Sequence, residues 1–392
     1  MYFKLTEQQK LDQERFGLFV KDHIAPFADK WDAEEIFPRV AIEKLASVGF
    51  LGAIISEEYG GLNMDPLTFG LLCEEMGKGS ISLISLLTVN GMVCQSIMKW
   101  GTKQQKEYWL PKLAGGQKIA AFALSEPNVG SDPKSVETTA KLNDKGIFVI
   151  NGKKKWISCG QIADLYLVIA QCEGGPTAFL LERSNPRLTV NPINGLYGFR
   201  SAMLAELIFN DCEVSETSVV GRIGSGFSYV ANTALDHGRY CVAWGCVGLG
   251  QACLEASLSY TCTRKQFGVC LRKHQLIQQM IANMATNIKA ARALCLQAAY
   301  LKSINEPDLI METSIAKYFA SKSALEAAND AVQIHGANGC SSEFPVQRYL
   351  RDAKITEIIE GSTQIQQIII SQYAYQRFLF ESHDKRKNRS NL

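Results

Sequence analysis

The stretch KIAAFALSEPNVGSDPKSVETTAKLNDKGIFVINGKKKWIS, residues 118–158, decides how the chain is read. Its pieces are short, rich in β-branched and aromatic residues, and broken by Gly, Pro, Asn and Asp; Asn151-Gly152 is a strong tight-turn signal. LYLVIAQC, TAFLLER, LTVNPI and AELIFNDCEV continue the same texture, so residues 118–225 are expected to form a β-domain. On both sides the period becomes helical. Phe16, Phe19, Val20, Ile24 and Phe27 recur at three- and four-residue spacing, and the following apolar segments end at Gly, which makes residues 1–117 an all-α domain. Residues 226–380 hold long Ala-rich helical stretches, the first spanning 230–265 without a proline, and are expected to form a four-helix-bundle-like domain. The end, 381–392, is polar and expected to be a disordered tail. The fold class is therefore α+β. Helices and strands segregate instead of alternating, which argues against a doubly wound dinucleotide fold, and no Gly-x-Gly-x-x-Gly or P-loop is present.

Composition excludes several classes. The 392 residues carry 41 basic and 39 acidic side chains, a net charge of +2, without the basic excess of a nucleic-acid binder. The N-terminus lacks a signal-peptide core, and no apolar run reaches the roughly 20 residues a membrane span needs, so a cytoplasmic protein without membrane partners is expected. Twelve cysteines in so long a chain, none in a CxxC pair, are expected to be reduced; Cys241, Cys246, Cys253, Cys262, Cys270 and Cys295 read as small buried hydrophobes, and no metal site is expected.

Four segments carry candidate chemistry. FALSEPNVGSD (122–132) is a strand running into a Gly-Ser loop whose N–H groups suit a phosphate, or simply a turn. KKKWISCG (153–160) sets Trp156 beside Ser158 at a strand end, where an indole either stacks on a flat ring or fills core. RKQFG (264–268) follows the long helix. In RDAKITEIIEGSTQIQ (351–366), Glu360 closes an apolar run just before Gly361. A carboxylate there is either a base raised in pKa by a dry pocket or an acid satisfied by the next helix N-terminus.

Together with EEYGG (57–61), these segments, in this order, resemble the acyl-CoA dehydrogenase family from residue 4 to about 380. The resemblance implies FAD between the β-domain and the C-terminal bundle, with a thioester against one flavin face. It implies that Phe122, Leu124 and Ser125 line the flavin ring, that Ser131 meets the pyrophosphate, and that Trp156 and Ser158 flank the isoalloxazine. It further implies that Arg264, Gln266 and Phe267 reach the FAD of a neighbouring subunit, that Gln333 and Gly336 close over the same nucleotide end, and that Ser362 and Gln364 contact the adenosine side. A homodimer or homotetramer and an electron-accepting flavoprotein partner follow from the same resemblance. Glu360 matches the family's usual catalytic base, while Arg239 and Gly361 match substrate-binding positions. Some members carry the base on the long helix immediately before an arginine; here that position is Gly238, which cannot act as a base.

The activity implied is α-proton abstraction from a short acyl thioester by Glu360 with hydride transfer to the flavin. The carbonyl oxygen would be held by the Glu360 N–H and a flavin hydroxyl. The stretch GRYCVAWGCVGLGQACLEA (238–256) is also similar to dehydrogenases acting on carrier-protein thioesters in polyketide extender-unit pathways, so a small hydroxyacyl group on an acyl carrier protein is the alternative substrate. Trp244 on that helix either shortens the substrate pocket or points into the bundle. An oxidase using O₂ and a flavin-binding scaffold without turnover remain as readings from other classes.

Overall fold

The computed structural model describes residues 4–306 and 308–390, with side chains described as far as residue 380. Helices α1 (Glu7–His23), α2 (Ala28–Glu34), α3 (Arg39–Ser47), α4 (Pro66–Ser80), α5 (Ile84–Trp100) and α6 (Lys103–Ala114) come first. Their starts are written in the sequence. Thr6 and Gln9 form a capping box on α1, Thr102 and Gln105 form another on α6, and the Asp65 carboxylate accepts from the N–H groups of Leu67 and Thr68 at the head of α4. Phe27, expected among the core residues, is largely exposed and stacks on Trp31.

The middle of the chain is a sheet of β1 (Ala120–Ala123), β2 (Thr139–Leu142), β3 (Ile147–Ile157), β4 (Leu165–Cys172), β5 (Gly175–Glu182), β6 (Leu188–Pro192), β7 (Ala205–Ser215) and β8 (Val219–Val220). The strand order is β6-β7-β3-β2-β4-β5-β8, with β1 added in parallel to β4. Side-chain alternation splits this sheet between two cores. Leu165, Leu167 and Ile169 of β4 face the helices, while Tyr166, Val168 and Ala170 face the β-domain's own interior with Phe148, Phe179, Leu207 and Phe209.

The C-terminal part comprises α7 (Asn232–Thr263), a hairpin of β9 (Lys265–Gln266) and β10 (Val269–Cys270), then α8 (Gln275–Ser303), α9 (Leu309–His335), α10 (Val346–Thr356) and α11 (Thr363–Ser390). The tail expected to be disordered is helical backbone as far as Ser390, and residues 391–392 lie outside the described residues. Helix α7 is long and apolar, but most of its apolar window is buried inside the protein, as befits a central core helix. It crosses α4 at close range: a methyl on Gly77 would sit 2.7 Å from the Cα of Gly245. Trp244 is fully buried at this crossing, with its indole against Gly70, so it points into the bundle. Of the six helical cysteines expected to be buried, Cys262 is exposed and Cys270 half-buried. They stand where α7 leaves the bundle and enters the hairpin, beyond the reach of the core; the other four are buried thiols.

Candidate active site

Helix α10 ends at Thr356 and α11 begins at Thr363, and the link between them carries Glu360. Glu360 itself sits at φ +53° and Gly361 at +83°. A left-handed backbone at a non-glycine residue costs on the order of 1–3 kcal/mol and persists only where the surroundings hold it. The holding groups are visible. Fully buried Gln366 donates from Nε2 to the carbonyls of Glu360 (3.0 Å) and Gly361 (3.2 Å). Fully buried Lys317 of α9 donates from Nζ to the Gly361 carbonyl at 2.8 Å, and the Thr363 N–H closes the turn onto the Glu357 carbonyl at 2.8 Å.

The turn aims the Glu360 carboxylate at α7. A methyl on Gly238 would lie 2.5 Å from its Cδ, so the absent side chain at 238 is the room the carboxylate occupies. Although Glu360 as a residue keeps partial exposure, its Oε2 is sealed and has no hydrogen-bond partner among the described residues. Burial pushes the Glu360 carboxyl up to about 7, against the opposing charge of Arg239. Arg239 Nε is likewise buried and unpartnered. Burial holds its guanidinium below the ordinary value, and Lys317 is held down to about 8 for the same reason. An unpaired carboxylate oxygen and an unpaired guanidinium nitrogen in one dry place are costly unless a ligand completes them.

A second surface is built by the β-domain. Phe122 and Leu124 are nearly buried at the end of β1, Ser125 and Ser158 are partly open, and Trp156 is 50% exposed at φ +64°. A half-bare indole at a strand end, held off the regular strand conformation, is a platform for a flat ring. Its support is a fully buried ion pair that the sequence did not single out. Lys154 Nζ meets Glu126 Oε1 at 2.6 Å and the Leu124 carbonyl at 2.9 Å, while Glu126 also accepts from the N–H groups of Glu137 and Thr138. The Lys155 N–H donates to the Ser125 carbonyl at 2.9 Å, closing the loop onto β3. Built on Gly130, a methyl would meet nothing within 4 Å, so the loop carrying exposed Ser131 leaves open space beside it. These residues fit a flavin.

The two surfaces are joined by hydrogen bonds. From the end of β3, the Cys159 N–H donates to Ala202 at 2.8 Å, and the Phe199 N–H of the same loop donates to Asp352 of α10 at 2.7 Å. Helix α10 is also fastened to α2 by Arg348–Asp29 (2.7 Å) and Arg351–Asp32. The helix that delivers Glu360 is thus anchored to the loop that ends at the Trp156 platform.

The other expected cofactor residues lie elsewhere. Arg264, Gln266 and Phe267 are exposed on the β9–β10 hairpin, with Phe267 95% exposed at φ +52°. Exposed Gln333 and Gly336 close α9 at the same end of the bundle, where Tyr260 of α7 stacks on His335 with ring centroids 4.2 Å apart. Ser362 is half-buried and Gln364 exposed at the head of α11. Sequence reasoning missed Gln366, Lys317, Glu126, Lys154 and a His237–Cys241 contact. Only the lysine run around 154 offered a signal, and nothing marked one of the three as buried.

A buried carboxylate raised towards neutrality, aimed across α7 and tied to an aromatic platform, defines a proton-abstracting site built for a planar redox ring. The chain belongs to the acyl-CoA dehydrogenase family: residues 6–117, 121–212 and 224–374 match that family's N-terminal, middle and C-terminal domains. It is 36% identical to the acryloyl-CoA reductase (NADH) of Anaerotignum propionicum over 96% of this chain and 97% of that protein. It superposes on the butyryl-CoA dehydrogenase of Megasphaera elsdenii with a TM-score of 0.92, at 35% identity over 96% of this chain and 100% of that one. The prolyl acyl carrier protein oxidase AnaB is also similar, with a TM-score of 0.90 at 30% identity, over 95% of this chain and 100% of that one.

Proposed function

We propose that the protein is a FAD-dependent dehydrogenase of a short acyl thioester in which Glu360 removes the α-proton. The observation that carries this reading is the sealed, unpartnered Oε2 of Glu360 with its carboxyl raised to about 7. Such a carboxylate is partly deprotonated near neutral pH and is basic enough in that form to take a weakly acidic carbon-bound proton. The backbone N–H of Glu360 lies in the left-handed turn fixed by Gln366 and Lys317, and we assign it as a donor to the thioester oxygen. One well-placed donor of this kind is worth about 3–4 kcal/mol in the transition state. Arg239 and Gly361 border the same place and belong to substrate binding. FAD, when bound, accepts the β-hydride. Phe122, Leu124, Ser125, Trp156 and Ser158 would hold its ring, Ser131 its pyrophosphate, and Ser362 and Gln364 its adenosine side.

Exposed Phe267 and its neighbours Arg264 and Gln266, with Gln333 and Gly336, suit the cofactor of a second copy of the chain, which makes the enzyme a homo-oligomer. Electrons leave to a flavoprotein acceptor. A second reading keeps the site and changes the handle: the acyl group, hydroxylated or not, rides on an acyl carrier protein. The likeness to AnaB, a carrier-protein oxidase by name, favours it. The test is anaerobic titration of the FAD-loaded protein with matched CoA and carrier-protein thioesters, following flavin absorbance, for wild type and Glu360→Gln. Bleaching by wild type and none by a variant that retains FAD is expected; a Glu360→Gln variant bleaching at near-native rate refutes the assignment.

A further inference from the structure

One residue before Gly238, on the same helix that meets Glu360, stands a histidine that is almost buried and incompletely used. His237 is 7% exposed. Its Nε2 lies 3.3 Å from Cys241 Sγ, one turn further along α7. Phe69 of α4 stacks on the ring, with centroids 5.3 Å apart and planes at 21°. Gly91 of α5 supplies the remaining room, because a methyl there would run into the ring. Three helices therefore fix the imidazole plane and its Nε2. Among the described residues the ring makes no other hydrogen bond, and Nδ1 is not one of the sealed side-chain atoms.

We propose that His237, anchored by Cys241, is a specificity-determining residue whose Nδ1 hydrogen-bonds an oxygen substituent on a small acyl group. The inference rests on the acyl-thioester reading above and says which acyl groups the site prefers. An apolar acyl chain needs no anchored imidazole beside its base. In a cavity meant for hydrocarbon, a polar ring nitrogen without a partner costs about 1–3 kcal/mol, and an oxygen on the substrate removes that cost.

The charges around the ring agree. Hydrogen bonds from buried Cys73 and from His237 hold the Cys241 thiol below its ordinary value against the effect of burial, so Nε2 of His237 is committed to Cys241 and Nδ1 is the ring nitrogen left for a ligand. Both Cys241 and His237 act electrostatically on Glu360, so the pair belongs to the neighbourhood of the base. The occupant is a small acyl group bearing a hydroxyl.

The experiment uses the FAD-loaded full chain and two pairs of probes: propionyl and hydroxypropionyl thioesters on one handle, and their non-oxidisable thioether analogues. Calorimetry gives the ratio of Kd values for the thioethers, and anaerobic stopped-flow gives the ratio of kcat/KM for the thioesters. Wild type is expected to prefer the hydroxylated member of each pair. His237→Phe, which keeps a flat ring, is expected to lose about tenfold of that preference, or about 1.4 kcal/mol, mostly in Kd and KM, while His237→Gln, which keeps a donor, retains most of it. If His237→Phe fails to load FAD, Cys241→Ala is read by the same ratio and is expected to lower it at least threefold. Ratios within twofold of wild type overturn the proposal. Should no thioester reduce the wild-type flavin, the acyl-thioester reading itself falls; reduction with an unmoved ratio sinks the role of His237 alone.

Discussion

Gly238→Ala isolates the geometry of the base from the stability of the fold. The added methyl would lie 2.5 Å from the Glu360 Cδ and closer still to Oε2. Restoring van der Waals contact takes a retreat of roughly 1 Å. The obstacle is the far end of a side chain and not backbone, so the carboxylate moves and α7 stays. A misplacement of about 1 Å at a reacting group costs about 10²-fold in rate. Alanine meanwhile favours a helix interior over glycine by about 0.8–1.0 kcal/mol. The variant should therefore melt at or above the wild-type temperature, retain FAD, and reduce its flavin about a hundredfold more slowly. Stopped-flow reduction under anaerobic conditions, beside a thermal melt of the same sample, reads both quantities. A variant reducing flavin within threefold of wild type would mean that the Glu360 carboxylate does not work from the place described.

Three further outcomes are expected. Because the Glu360 carboxyl is raised to about 7, the rate of flavin reduction should rise with pH through that value; Lys317 holds the carboxyl down, so Lys317→Met should move the midpoint upward, and a midpoint that stays or falls contradicts the electrostatics. Lys154→Met leaves Glu126 charged and buried without its partner, which costs about 3–5 kcal/mol; a large drop in melting temperature with loss of bound FAD should follow, and an unchanged melt would show the pair to be idle. Trp156→Ala should lower FAD affinity, read by flavin retention on dilution, yet leave the melting temperature of the apoprotein nearly as it was, because half of the indole is already exposed.

The three-part order was legible because each part has its own period. The short apolar run LYLVIAQC between turn residues is a local fact, and the structure turns it into a strand buried on both faces. Glu360 stood out because an apolar run and a glycine flank it. What holds Glu360 was not legible. Lys317 and Gln366 become buried donors only when α9 and α11 close on the turn, and one-dimensional sequence shows them as ordinary polar positions of amphipathic helices. Lys154 sits in a run of three lysines, and only the pairing of β3 with its neighbours turns it inward. Cys262 was misjudged for the complementary reason: it continues an apolar helical stretch past the point where other helices cover it.

The anchorage of α10 reaches further than the pocket. Asp29 and Asp32, on a short helix near the beginning of the chain, grip Arg348 and Arg351, and those arginines sit on the rod whose far end presents residue 360. Asp29 touches no substrate and remains partly open to water, yet the aim of the proton acceptor passes through it. Sequence drift among the opening helices is therefore free to retune how readily a carbon acid is ionised, long before any side chain facing the thioester has to change.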